Sequence, residues 1–93
     1  MEIRHKILLV DDDVRLTRIL KVSLESSGYD VRSENEALRV LPVARIFKPD
    51  LIVLDISMPD KEGDQLEQEM KDDKDLGAIP IIFLTGLLIE KEA

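Results

Sequence analysis

Residues 7–13 read ILLVDDD, a short apolar run followed directly by three aspartates, and this pattern is the strongest indication of the fold. Two further runs have the same character: residues 51–54 (LIVL) precede Asp55, and residues 79–84 (IPIIFL) precede Thr85. Strands that are apolar at nearly every position suit a parallel sheet covered on both faces, whereas half-exposed strands alternate apolar and polar residues. The sequence therefore predicts three buried parallel strands, each ending in a polar residue.

Helical patterns lie between these runs. The first helix is predicted over residues 14–26, where four leucine and isoleucine side chains recur at the spacing of one helix face. Asp13 stands at the N-cap position, and Gly28 stands just beyond the end. A weaker strand is predicted over residues 29–32, directly after this glycine.

Two more helices complete the pattern. The second is predicted over residues 36–47, with a kink or a late start, because Pro42 lacks the backbone donor that a helix interior uses. The third is predicted over residues 64–71, with Leu66 and Met70 as its apolar anchors. The order βαβαβαβ predicts an α/β doubly wound parallel sheet.

Length, composition and charge limit the function. The chain has 93 residues, 44% of them hydrophobic and 35% charged, which suits one small globular domain. It has no cysteine, which excludes disulfides, thiolate metal sites and cysteine nucleophiles. The net charge is −7, and residues 50–93 carry most of the excess acid, so we expect no direct binding of nucleic acid. No apolar run suits a membrane helix or a signal peptide, and we expect a cytoplasmic protein.

The polar residues at the strand ends predict a phosphate chemistry. Ligands of doubly wound sheets bind at the carboxyl ends of the strands, where Asp11, Asp12, Asp55 and Thr85 converge if their strands are neighbours. Carboxylates held close together repel one another, and a hard divalent cation such as Mg²⁺ relieves that repulsion. Mg²⁺ usually binds one or two carboxylates beside phosphate oxygens. A carboxylate next to the cation can then act as a nucleophile toward a phosphoryl group, with the threonine hydroxyl as a hydrogen-bond donor.

A structural interpretation of the same residues stays open at this point. An acidic triplet after a strand often serves only as a helix cap and a solvated loop, and we weigh this equally for residues 11–13 alone. Asp55 in isolation is compatible with a turn, and Thr85 in isolation with a strand-end hydroxyl. The functional interpretation rests on the fact that all of them fall at the same predicted end of three separate strands.

Taken together, these segments resemble the receiver domain of two-component response regulators. The resemblance is carried by residues 7–13, residues 49–59 (PDLIVLDISMP), Gly63 and residues 79–86 (IPIIFLTG), in the right order and spacing. It implies a flavodoxin-like sheet with the strand order 2-1-3-4. It also implies that Asp55 accepts a phosphoryl group from a phosphohistidine of a sensor histidine kinase or phosphotransfer protein, and that the resulting switch regulates a downstream output.

The resemblance assigns a role to each further site residue. Asp12 is expected to bind Mg²⁺ directly and Asp11 through water, while Asp55 supplies a carboxylate oxygen and Ser57 its backbone carbonyl to the ion. Thr85 is expected to hydrogen-bond the phosphoryl group and to report phosphorylation to the surface. A receiver of this kind is not an enzyme in the turnover sense, and a homodimer is left open as an assembly.

The sequence also departs from the family pattern. Receivers have a fifth strand, ending in a lysine that contacts the phosphoryl group, and a fifth helix, and residues 1–93 contain neither. We therefore expect a single receiver domain that is incomplete at its C-terminus, either as part of a longer receiver, or completed by a partner chain, or crippled. The alternative function is a non-phosphorylated pseudo-receiver that serves as an interaction or dimerisation module.

Two other phosphate-handling classes fit poorly. A phosphatase of the haloacid-dehalogenase type would need threonine or valine at position 15, where this chain has Arg15. A dinucleotide-binding domain would need a glycine-rich loop after the first strand, where this chain has aspartates.

Overall fold

The computed structural model describes residues 3–55 and 63–84. In these ranges strands and helices alternate along the chain: β1 (Lys6–Val10), α1 (Val14–Ser26), β2 (Asp30–Glu34), a 3₁₀ turn (Ala37–Arg39), α2 (Val40–Phe47), β3 (Leu51–Asp55), α3 (Gly63–Asp72) and β4 (Ile81–Leu84). No helix in this part of the chain is long and apolar enough to cross a membrane.

The four strands form one parallel sheet in the order β2-β1-β3-β4, which confirms the predicted fold class and strand order. In the register of this sheet Val10 of β1 lies opposite both Glu34 of β2 and Leu54 of β3. The carboxyl ends of the three strands are therefore level with one another. Residues that follow these ends meet at one edge of the sheet.

The core has two layers because the strand side chains alternate between the faces of the sheet. One face carries Leu8, Val10, Ile52 and Leu54, which pack against buried side chains of α2 and α3 (Val40, Ala44, Phe47, Leu66 and Met70). The other face carries Ile7, Leu9 and Val31, which pack against Leu20 and Leu24 of α1. The two predicted anchors of α3 are fully buried, as their spacing indicates.

The predicted bounds of α1 are confirmed, and so is its N-cap. The Asp13 carboxylate accepts a hydrogen bond of 3.1 Å from the backbone N–H of Leu16. The late start of α2 is confirmed as well, since the α-helix begins at Val40 after a 3₁₀ turn. Pro42 then lies in the first turn, where a missing backbone donor costs no helical hydrogen bond.

Two strand boundaries differ from the predicted ones by two residues. β2 runs to Glu34 rather than ending at residue 32, because Ser33 and Glu34 pair with Leu9 and Val10 of β1 despite their polarity. β4 begins at Ile81 rather than at residue 79. The reason is that the N–H of Ile79 donates to the carbonyl of Leu76 at 3.1 Å, which keeps it in the preceding turn.

Candidate functional site

The carboxylates of Asp11, Asp12 and Asp55 lie together at the carboxyl edge of the sheet. Asp11 directly follows β1, and Asp55 is the last residue of the neighbouring strand β3. One oxygen atom from each of the three side chains lies within 4.8 Å of the others. The structure thus brings together three of the residues that the sequence analysis singled out.

Ser57 and Thr85 lie outside the described residues. The predicted roles of the Ser57 carbonyl and of the Thr85 hydroxyl therefore stay predictions.

Asp11 is the buried member of the cluster. Its side chain is 6% exposed, while Asp12 is exposed and Asp55 is half-buried. Loss of hydration, with smaller contributions from the neighbouring charges of Asp55 and Asp12, raises the pKa of Asp11 to about 6. A hydrogen bond of 2.9 Å from the backbone N–H of Asp13 to Oδ1 of Asp11 opposes this rise.

This environment fits a hard divalent cation. The donor atoms are all carboxylate oxygens, which Mg²⁺ prefers over softer ligands. When all three groups are ionised, the charges of Asp55 and Asp12 repel that of Asp11 and contribute to its raised pKa. A cation among the three oxygens would relieve that repulsion.

The acidic loop, defined as residues 11–13, is held by neighbours that the sequence analysis missed. The backbone N–H of Asp11 donates to the carbonyl of Glu34 at 3.2 Å. The side chain of Asn35 reaches the loop from the end of β2 and donates to the carbonyl of Asp11 at 2.7 Å. A signal for Asn35 was available, because a polar residue directly after β2 lies at the same edge of the sheet as the acids.

Comparison with known proteins identifies the family. The family model described as the response regulator receiver domain matches residues 7–92. Among solved structures, the N-terminal domain of a response regulator receiver protein from Methanoculleus marisnigri has a TM-score of 0.84 and 30% identity, covering 87% of this chain and 66% of that one. The chain belongs to the response regulator receiver domain family, whose members work in two-component signalling.

Curated relatives are regulators. The alkaline phosphatase synthesis transcriptional regulatory protein PhoP of Bacillus subtilis is 39% identical over 81 residues, covering 87% of this chain and 33% of that protein. The polar-differentiation response regulator DivK of Brucella anthropi is 31% identical over 84 residues, covering 90% of this chain and 68% of that protein. The chain thus spans about a third of the length of a transcriptional regulator such as PhoP.

Proposed function

We propose that residues 1–93 belong to a single phosphorylatable receiver domain, in which Asp55 accepts a phosphoryl group. The donor is a phosphohistidine of a sensor kinase or phosphotransfer protein, and the reaction requires Mg²⁺ held by Asp11 and Asp12 together with Asp55 itself. The observation that carries the proposal is the convergence of these two acids on Asp55, with carboxylate oxygens within 4.8 Å of one another.

The transfer exchanges one bond for another. A carboxylate oxygen of Asp55 attacks phosphorus and forms an O–P bond, while the bond between phosphorus and the imidazole nitrogen breaks. The electron pair of the broken bond stays on that nitrogen, which takes a proton from solvent. Asp55 suits this attack because it ends a strand of the sheet, so packing of β3 holds its backbone while its half-buried side chain remains reachable.

Charge is the main obstacle to this reaction, since a phosphoryl group brings negative charge to three carboxylates. Bound Mg²⁺ would supply the charge neutralisation that the transition state needs. In this proposal the carbonyl of Ser57 completes the protein ligands, and the hydroxyl of Thr85 donates a hydrogen bond to the transferred group. The chain changes conformation after transfer and regulates a downstream output.

The relatives suggest the kind of output. PhoP is named as a transcriptional regulatory protein, and RpaA of Synechocystis, 33% identical over 82 residues, as a DNA-binding regulator. We propose a similar output for the protein that carries this receiver. Because the receiver has a net charge of −7, contact with DNA would fall to another part of that protein.

Intact mass after incubation with acetyl phosphate tests the proposal. We expect a gain of one phosphoryl group in the presence of Mg²⁺ and no gain in EDTA. Asp55→Asn should lose the gain, whereas Asp30→Asn, which changes an exposed aspartate at the opposite end of the sheet, should keep it. Absence of a gain with Mg²⁺ would contradict the proposal and favour the pseudo-receiver alternative.

A further inference from the structure

Asn35 joins the two ends of the acidic loop with one side chain. Its Nδ2 atom donates to the backbone carbonyl of Asp11 at 2.7 Å and to the hydroxyl Oγ1 of Thr17 at 3.0 Å. A carbonyl oxygen only accepts hydrogen bonds, so the amide nitrogen rather than the amide oxygen must face Asp11. The contact therefore ties the first residue of the acidic loop to the first turn of α1.

Asn35 is itself fixed from both sides. The carboxylate of Glu34, only 9% exposed, accepts hydrogen bonds from the backbone N–H groups of Asn35 and Glu36, each at 3.1 Å. Thr17 is 2% exposed, and its hydroxyl donates to the carbonyl of Val14 at 3.1 Å while accepting from Asn35. Both N–H bonds of the amide are therefore used at defined positions, which leaves the side chain one orientation.

We propose that Asn35 is a positioning residue for the metal centre, holding the acidic loop so that the Asp11 and Asp12 carboxylates face Asp55. This inference rests on the Mg²⁺ requirement of the proposed function. Like charges push the three carboxylates apart, so a loop without this tie would spread in the metal-free protein and would have to be ordered again when the ion binds. Asn35 makes its contacts with the Asp11 carbonyl and with Thr17, so its effect falls on Mg²⁺ affinity and not on the transfer step.

The first test is a Mg²⁺ titration of the purified protein and of Asn35→Ala, followed by the NMR shifts of the Asp12 and Asp13 amides. Loss of a residue that supports metal ligands typically weakens metal binding 10–100-fold, and because Asn35 supports the Asp11 backbone rather than its carboxylate we expect about tenfold. The rate of phosphorylation by acetyl phosphate at saturating Mg²⁺ should stay within about twofold of the original protein, as expected for a lost ground-state interaction. Ser33→Ala, on the strand that precedes Asn35, is the matched control and should leave both quantities unchanged.

Variants of Thr17 distinguish a positioning role of Asn35 from a general loss of structure. Thr17→Val removes the hydroxyl that accepts from Asn35, so it should also weaken Mg²⁺ binding, whereas Thr17→Ser keeps the hydroxyl and should restore it. The double variant Asn35→Ala, Thr17→Val should bind Mg²⁺ no more weakly than Asn35→Ala alone, because both changes break the same tie. In the metal-free protein, the Asp13 amide should exchange its hydrogen faster in Asn35→Ala.

Two results would overturn the inference. One is a Mg²⁺ affinity of Asn35→Ala equal to that of the original protein. The other is a rate at saturating Mg²⁺ that falls as far as the affinity does, which would show a damaged site rather than a misplaced loop. Failure of the proposed function has a different signature, since the original protein would then bind Mg²⁺ but gain no phosphoryl group at Asp55.

Discussion

Replacing Asp11 by asparagine should stabilise the metal-free protein. Asparagine has the same shape, and its amide oxygen can still accept the hydrogen bond that Oδ1 of Asp11 receives from the N–H of Asp13. The substitution removes only the charge. Because Asp11 is buried beside Asp12 and Asp55, that charge is unfavourable whenever no cation is bound.

The size of the effect follows from the pKa of Asp11, which burial and its acidic neighbours raise from 3.8 to about 6. Each pKa unit corresponds to about 1.36 kcal/mol, which sets an upper limit of about 3 kcal/mol for the ionised group. Solvent screening beside the exposed Asp12 reduces this, and we expect Asp11→Asn to gain about 1–2 kcal/mol at pH 7.5. Below pH 3.8 Asp11 is protonated in both the folded and the unfolded protein, so it does not destabilise the original protein there. Its destabilising effect develops as the pH rises through about 6, and the stability gained by Asp11→Asn should therefore vanish near pH 4.

Urea unfolding followed by far-ultraviolet circular dichroism, in EDTA, measures this difference. Asp30→Asn serves as the control for removing an exposed negative charge and should change the free energy of unfolding by at most about 0.5 kcal/mol. Added Mg²⁺ should stabilise the original protein more than it stabilises Asp11→Asn. An Asp11→Asn variant that is no more stable than the original at pH 7.5, or whose gain persists unchanged at pH 4, would refute the reasoning.

Three further predictions concern the site, the core and one helix end. Mg²⁺ binding should weaken as the pH falls below about 6, by up to about tenfold per pH unit, because the ion must displace a proton from Asp11; titrations between pH 7.5 and 5 check this. Leu54→Ala, at a side chain with no exposed surface, should cost about 2–5 kcal/mol in urea unfolding, and an unchanged midpoint would contradict the described core. Lys48 caps the C-terminal end of α2 in the left-handed conformation, with a φ of 56°, which glycine adopts without strain. Lys48→Gly should therefore raise the free energy of unfolding by about 0.5–1 kcal/mol. A loss of stability would show that the left-handed conformation of Lys48 is not strained.

Much of the fold could be predicted from local signals. β1 and β3 were predictable because unbroken aliphatic runs end in aspartate, and α1 because Asp13 caps its start and Gly28 stands beyond its end. Gly28 has a φ of 99°, a conformation that glycine adopts without strain. The end of β2 was not predictable in the same way, because Ser33 and Glu34 are polar and become strand only by pairing with β1.

Some features of the candidate site could likewise be predicted from the sequence, and others could not. The acidic residues could be predicted to meet because each ends or follows a parallel strand, and strand ends of such a sheet share one edge. The place of Asn35 at this edge could be predicted as well, but its hydrogen bond to Asp11 could not, since it joins residues 24 positions apart and no local pattern fixes the direction of the side chain. The raised pKa of Asp11 follows from burial that no local pattern encodes.

The most direct test of the central claim is to locate the phosphoryl group on the chain. The protein is incubated with acetyl phosphate and Mg²⁺, the acyl phosphate is reduced with borohydride, and the position converted to homoserine is read by tandem mass spectrometry. We predict conversion at position 55 alone, and none when EDTA replaces Mg²⁺. Conversion at another aspartate, or none in the presence of Mg²⁺, would contradict the assignment of Asp55 as the phosphoryl acceptor.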